Sequence, residues 1–192
     1  MSCLKNLTAN ITYDSCTPAN RAKAGLETTA VIINRSDIDF ASVTQTGATL
    51  TNISLDSGKT GFSIDWIKQL GVSASEIAIT DSLDGFSHSF ACRIFGTSAA
   101  DAERMKELLE GEFVVITETK FKGTNQESAF KVFGFENGLK VSEGTYSSAE
   151  NDGAMLFTLS SVEGYLESFA YLIWKETNYA ATKTKFDNKL SA

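Results

Sequence analysis

From Phe86 to Phe95 apolar and polar side chains alternate. Phe86, His88, Phe90, Cys92 and Ile94 fall on one face, and Ser87, Ser89, Ala91 and Arg93 on the other, the period of two that marks a strand. The period then changes. Thr97 or Ser98 can cap a helix, with Asp101 near its third position to accept from a free N–H. Ala102, Met105 and Leu109 follow at helical spacing with Leu108 beside them, and Gly111 ends the run where a left-handed residue costs least. Past this helix, Phe113 to Phe121 begins with four apolar residues, so burial on both faces is expected at that end. Ala129 to Phe135 is apolar on both faces too. Glu136-Asn137-Gly138 reads as a hairpin turn, since Asn-Gly accepts positive φ at low cost. Leu139 and Val141 then alternate with Lys140 and Ser142, the polar loop Ser147 to Gly153 follows, and Met155, Phe157 and Leu159 complete the sheet.

The first half carries weaker signals of the same kind. Glu27 to Arg35 is rich in β-branched residues and reads as a strand. Thr49 to Leu55 reads as a second, with Asp56-Ser57-Gly58-Lys59 as a turn and Gly61 to Ile67 as its hairpin partner. Ser75 to Thr80 is a short strand closed by the turn Asp81 to Gly85. Residues 1–25 lack periodicity, hold the turn Thr17-Pro18-Ala19-Asn20, and read as an N-terminal arm. Tyr165 to Lys175 fits a strand or a short helix. The lysine-bearing end from Ala181 reads equally as an arm reaching toward a neighbour or as a frayed terminus. The expected fold is therefore mainly β, a sandwich or barrel over residues 26–162 with one flanking helix at about 98–110. An arm at 1–25 and a C-terminal segment at 163–192 complete the chain.

Composition narrows the function classes. The 192 residues are 42% hydrophobic and 21% charged, ordinary globular material, and no apolar run approaches the roughly 18 residues of a membrane span. The N-terminus has no apolar core of a secretory signal, so a cytosolic site of synthesis is expected. A net charge of −7 argues against binding nucleic acid through phosphates; it serves solubility, or a surface past which DNA slides. A single proline suits strands that must donate every N–H. Cys3, Cys16 and Cys92 have neither zinc-ribbon nor CxxC spacing; a Cys3–Cys16 disulfide and free thiols both stay open, with free thiols favoured in cytosol.

Candidate chemistry is thin. The single histidine, His88, has Ser87 and Ser89 pointing to the opposite strand face, so a structural role is expected instead of a catalytic triad. Asp37 and Asp39 lack the rest of a calcium loop, and Asp81 and Asp84 read as turn caps. The Gly-Lys-Thr at Gly58 to Thr60 lacks the first glycine and the helix of a phosphate loop. No cofactor or metal is expected. Trp66, Trp174 and the phenylalanines read mainly as core, with an exposed Trp66 as a weaker, ligand-stacking option.

The succession of FSHSF, MKELLEG, FVVITETK and KVFGFENGL, the early strand AVIINRSDI, and the K-x-x-G-x-E-N-G-L segment at Lys131 to Leu139 resemble small tail-tube-like virion proteins of phages and prophages of the Bacteroidetes. The resemblance spans Val31 to Ser161, about two thirds of the chain. It implies a non-enzymatic structural subunit of the virion, assembled in the bacterial host cytoplasm. Homo-oligomeric rings, a hexamer among the options, would stack into a tube and meet other tail or neck proteins. DNA would pass through the lumen without specific binding, and no membrane is involved. On that reading, neighbour contacts come from Thr51, Asn52, Asp56 and Lys59 and from Ser147, Glu150, Asn151 and Asp152. The rival expectation is a monomeric β-sandwich binding module using exposed aromatics.

Overall fold

Among the described residues the chain forms eleven strands and two α-helices. They are β1 (Leu26–Asn34), β2 (Thr44–Thr46), β3 (Thr49–Asn52), β4 (Phe62–Asp65), β5 (Val72–Ile79), β6 (Asp84–Ile94), α1 (Ala99–Glu110), β7 (Phe113–Thr119), β8 (Phe130–Phe133), β9 (Leu139–Tyr146), β10 (Met155–Ser161), β11 (Leu172–Trp174) and α2 (Tyr179–Asp187). The computed structural model describes residues 9–11, 23–66, 70–79, 84–96, 98–150 and 153–191. Cys3, Cys16, the Thr17–Asn20 turn and most of the expected arm lie outside them.

The strands hydrogen-bond in the order β2-β3-β11-β8-β7-β9-β10-β6-β5, with β1 pairing both β7 and β4. The strands form a β-sandwich with two packed cores. β7 is the hinge of the arrangement, paired along its length with β1 and β8 and touching β9 at one position, Phe113 opposite Leu139. All seven of its residues are buried. Its period of two divides them between two cores. Val114 and Ile116 join Val31, Ile33, Phe130, Val132 and Trp174 on one side. Phe113 and Val115 join Ala30, Ile32, Phe133, Phe90 and Phe157 on the other. The double burial expected of Phe113 and its successors is what the fold requires of a central strand.

Two expected hairpins are absent. β3 pairs with β2 and, in parallel, with β11, while β4 pairs only with β1. β8 and β9 do not pair either: β8 lies between β7 and β11, and β9 lies beside β10. The turn from Gly134 to Gly138 links two strands that both run antiparallel to β7. The Gly138 N–H donates to the Gly134 carbonyl at 2.9 Å. Gly134 has φ +71°, and a Cβ there would lie 2.5 Å from Leu139 Cγ. The turn signal encoded a loop and not a reversal: β8 and β9 both run antiparallel to β7, with Phe133 opposite Val115 and Leu139 opposite Phe113.

The C-terminal segment is integral to the fold, which corrects the reading of it as an arm or frayed end. β11 completes the sheet beside β8, and α2 covers the first core. Asn178 caps α2 by accepting the Ala181 N–H, and Thr182 and Phe186 are buried one turn apart. Phe186 packs 5.0 Å from Phe130. A polar cluster seals the same face. The buried Glu118 of β7 accepts from Lys122 at 2.5 Å and from the Tyr179 hydroxyl at 2.6 Å, and Lys183 approaches to 3.3 Å. Burial pushes the Glu118 carboxyl up, but these donors and cations outweigh it and hold its pKa below the ordinary value. Glu118→Ala should cost about 3 kcal/mol by chemical denaturation, the low end for breaking a buried ion pair because both lysines can still reach water.

Helix α1 is capped as expected. Ser98 Oγ accepts from the Asp101 N–H at 3.2 Å, and the Asp101 carboxylate accepts from the Ser98 N–H at 3.0 Å, a complete capping box. Its packing is another matter. No residue of α1 is buried, and Leu109, expected on the core-facing stripe with Ala102, is 68% exposed. Leu108 and Met105 make the contacts with the body. Gly111 is not left-handed, its φ being −92°. The need for glycine there is steric, since a Cβ would lie 2.1 Å from the Phe113 ring.

Candidate functional site

The residues expected to make neighbour contacts do not converge. Thr51 and Asn52 lie on β3, where the Asn52 amide donates to the Ser42 carbonyl at 2.9 Å and accepts from Lys185 at 3.3 Å. Asp56 and Lys59 form a turn tied to the body by an ion pair from Lys59 to Asp37 at 2.9 Å. The Asn34 amide and then the Lys59 ammonium hold the Asp37 carboxyl below its ordinary pKa. Ser147 accepts from the N–H of Glu150 at 3.0 Å in the β9–β10 connection; Asn151 and Asp152 lie outside the described residues. Between these two groups stand β11, β8 and β7.

His88 is the structural histidine expected. Its Nδ1 accepts from the Gly134 N–H at 3.0 Å, and its Nε2 lies 2.9 Å from the Phe169 carbonyl, which places the proton on Nε2. Burial lowers its pKa. Beside it, the buried Glu167 receives the N–H groups of Glu136 and Asn137 at 3.0 and 2.9 Å, pinning the 162–170 connection to the Gly134–Gly138 turn. Because the folded state keeps His88 neutral while the unfolded chain protonates near pH 6.5, stability should fall on acidification through that value. The loss is at most about 1.4 kcal/mol per pH unit from this group. Thermal melts at pH 7.5 and 5.5 in wild type and His88→Gln check it: the variant should lose that part of the pH dependence. Cys92 is fully buried and its thiol is pushed up to about 12, so it offers no nucleophile. Among the described residues no group of three or more His, Cys, Asp or Glu could hold a metal, and no helix is long and apolar enough to cross a membrane. Both tryptophans are buried, so the option of an exposed Trp66 falls: it is 4% exposed, packed against Phe90.

What stands out instead is an edge. β5 pairs with β6 over all eight of its residues, Val72 opposite Ala91 through Ile79 opposite Asp84, and among the described residues has no strand partner on its other side. Ser73, Ser75, Ile77 and Ile79 share the face of Phe90 and His88. The sheet overhangs its covering layer there, leaving Ile77 73% and Ile79 80% exposed, with Val72 54% exposed on the opposite face. Soluble proteins guard such edges with shortness, bulges, lysine or proline. The edge strand β2 is three residues long with a register shift, and β4 is four. β5 has neither shortness nor a bulge, neither Lys nor Pro, and one charge, Glu76. The signal was present in the sequence, where a face that starts as serines ends as isoleucines, but alternation alone does not reveal which strand lies at an edge.

A second feature lies at the open edge of β4. Between β4 and α1 runs a groove of about 520 Å³ whose apolar wall comes from Ile32, Phe62, Ile64, Ile94, Leu108 and Phe113. Asp65, Asp101, Arg104 and Glu107 are its charged lining. Phe62 is 55% exposed. A smaller groove of about 260 Å³ follows the other flank of α1 between Leu109 and Met155. The helix thus stands on the sandwich with unfilled apolar space on both sides. Comparison of the chain with family models, with curated proteins and with solved structures finds no match.

Proposed function

We propose that this chain is a non-enzymatic structural subunit of a phage tail or a related injection device, a tail-tube or tail-ring protein that multimerises around a DNA-conducting channel. The observation that carries the reading is the unguarded β5 edge, the outer side of an eight-residue strand without a strand partner among the described residues, bordered by Ile77 and Ile79. Such an edge is an aggregation hazard in a monomer and an asset in a closed assembly, where a copy of the same chain covers it. A net charge of −7 suits a wall past which DNA moves without adhering. The resemblance of the Lys131–Leu139 segment and its neighbours to tail-tube-like proteins points the same way. On this reading the protein resides in the virion.

The monomeric binding module draws on Tyr146, Tyr165 and Phe62, which are 66%, 60% and 55% exposed, yet these rings sit on three separate elements. Sedimentation and negative-stain microscopy at micromolar concentration decide between the two. Rings or tubes are expected; a sharp monomer with neither would end the structural reading.

A further inference from the structure

We infer that the connection from Val162 to Ala170 is an acid-released strap, and that protonation of His88 opens it without unfolding the body of the chain. The device belongs to the single chain and does not depend on assembly. One imidazole joins two backbones from different parts of the sequence. Its Nδ1 accepts the Gly134 N–H of the β8–β9 turn at 3.0 Å, and its Nε2–H donates to the Phe169 carbonyl of the strap at 2.9 Å. A neutral ring satisfies both contacts. An imidazolium donates from both nitrogens and so sets one N–H against another at Gly134. The ring is 2% exposed, so the charge is shut from water, and a buried donor without a partner is costly. His88 cannot withdraw with its strand, because β6 is held by β5 on one side and β10 on the other.

The strap is the part that yields. The turn runs between the buried Phe133 and Leu139 and is closed by its own Gly138–Gly134 bond. The strap has one isolated bridge to the sheet, Glu167 with Phe86. Its other ties are polar: Glu167 to the turn, the Asn137 amide to the Leu166 carbonyl at 2.8 Å, and Ser168 to the Glu136 carboxylate at 2.9 and 2.8 Å. Leu166 and Phe169 are partly buried, and 162–165 are exposed. A segment with so little apolar burial opens more readily than the sheet. The charges around the ring are Glu136, Glu167, Arg35, which donates to the Glu136 carbonyl, and Lys131, two residues before Phe133 on the same face of β8. Asp84 on its own strand and Glu163 on the strap are exposed, while β5 and β10 present the neutral Ser75 and Ser161. Glu167 acts in the opposite sense. Burial raises its pKa, so the closed strap holds that proton more readily than the open one, and acid acting there alone tightens the strap. His88 supplies the opening: burial lowers its pKa, so the open strap takes up the proton more readily.

Hydrogen exchange read by mass spectrometry on the full chain tests this between pH 7.5 and 5.5, with each rate divided by the intrinsic rate at that pH. Below roughly pH 6.5, peptides from the strap should lose protection by up to about tenfold per pH unit, while β7 and α2 keep theirs. His88 is the single histidine, so its ring-proton signal in an NMR titration is unambiguous, and ring and strap should share one midpoint. His88→Gln offers an amide N–H and a carbonyl without a titrating charge, and should keep the strap closed at both pH values. Loss of protection in β7 together with the strap would overturn the inference in favour of global unfolding. Strap protection that is unchanged through the His88 titration would overturn it as well, as would acid opening that persists in His88→Gln. Should that variant not fold, the two midpoints in the wild-type chain still decide: agreement supports the strap and disagreement removes His88 as its trigger.

Discussion

Trp174→Ala is expected to lower the unfolding free energy by about 3–5 kcal/mol, a large share of the roughly 5–15 kcal/mol that holds a domain of this kind folded. Trp174 is fully buried on the three-residue strand β11, with its ring 6.0 Å from Phe130 and its indole N–H donating to Glu176 at 3.2 Å. Removing it opens a void between the sheet and α2, bounded by Leu50 and Phe186, neither of which can move without breaking strand or helix pairing. Trp66 is the control. It is nearly as buried, but its indole nitrogen has no partner, so Trp66→Phe loses ring volume alone, while Trp174→Phe also loses the hydrogen bond to Glu176, whose carboxylate keeps Lys185 at 2.9 Å. Urea titrations should rank Trp174→Ala as the most severe of the three and Trp66→Phe as the mildest. Equal losses at the two tryptophans would mean that the C-terminal segment contributes less than its burial indicates.

The second large effect is on assembly. Ile77→Lys with Ile79→Lys should abolish rings or tubes while leaving the melting temperature of the monomer nearly unchanged. Both side chains are already mostly in water, so the folded chain loses little apolar burial, and surface substitutions of this kind stay within about 0.5 kcal/mol. Two ammonium groups on an exposed edge are the device by which sheet proteins refuse strand addition. Light scattering coupled to size exclusion, run beside a thermal melt, separates the outcomes. Assembly that survives both lysines would remove β5 from the interface, and a collapsed melting curve would show that the isoleucines are core residues of the subunit.

The sequence pattern made individual elements legible and their partners illegible. β6, β7 and β10 were readable because alternation is local, set by the two-residue repeat of the backbone. The capping box at Ser98 and Asp101 was readable for the same reason. Strand pairing is not local. The Asn137-Gly138 signal reports a local turn, and nothing in it distinguishes a hairpin from a loop between two strands that keep one direction along β7; only the buried Glu167 and His88, reaching in from other elements, fix which it is. The final helix was hidden by composition. Among lysines and threonines, the buried positions Thr182 and Phe186 and the half-buried Tyr179 keep helical spacing behind the Asn178 cap, but a stripe with one threonine and few large apolar residues is faint. Conversely, Ala102 and Leu109 gave α1 a stripe that the fold leaves in solvent. Of the candidate site, the polar turns around Thr51 and Ser147 were chosen because loops carry contacts in general, whereas the features with unmet packing demand are a strand edge and a groove.

The central position of β7 has a consequence for synthesis of the chain. β1 lies between β4 and β7, and 87 positions separate Leu26 from Phe113. At roughly 5–20 residues per second, the apolar run Ala30–Ile33 leaves the ribosome some 4–17 s before its principal neighbour exists. During that interval its fallback is the four-residue β4, too short to cover it. The protein should therefore fold late, after most of its length has emerged. Nascent chains truncated before Phe113 should depend on chaperones in a way that the finished subunit does not.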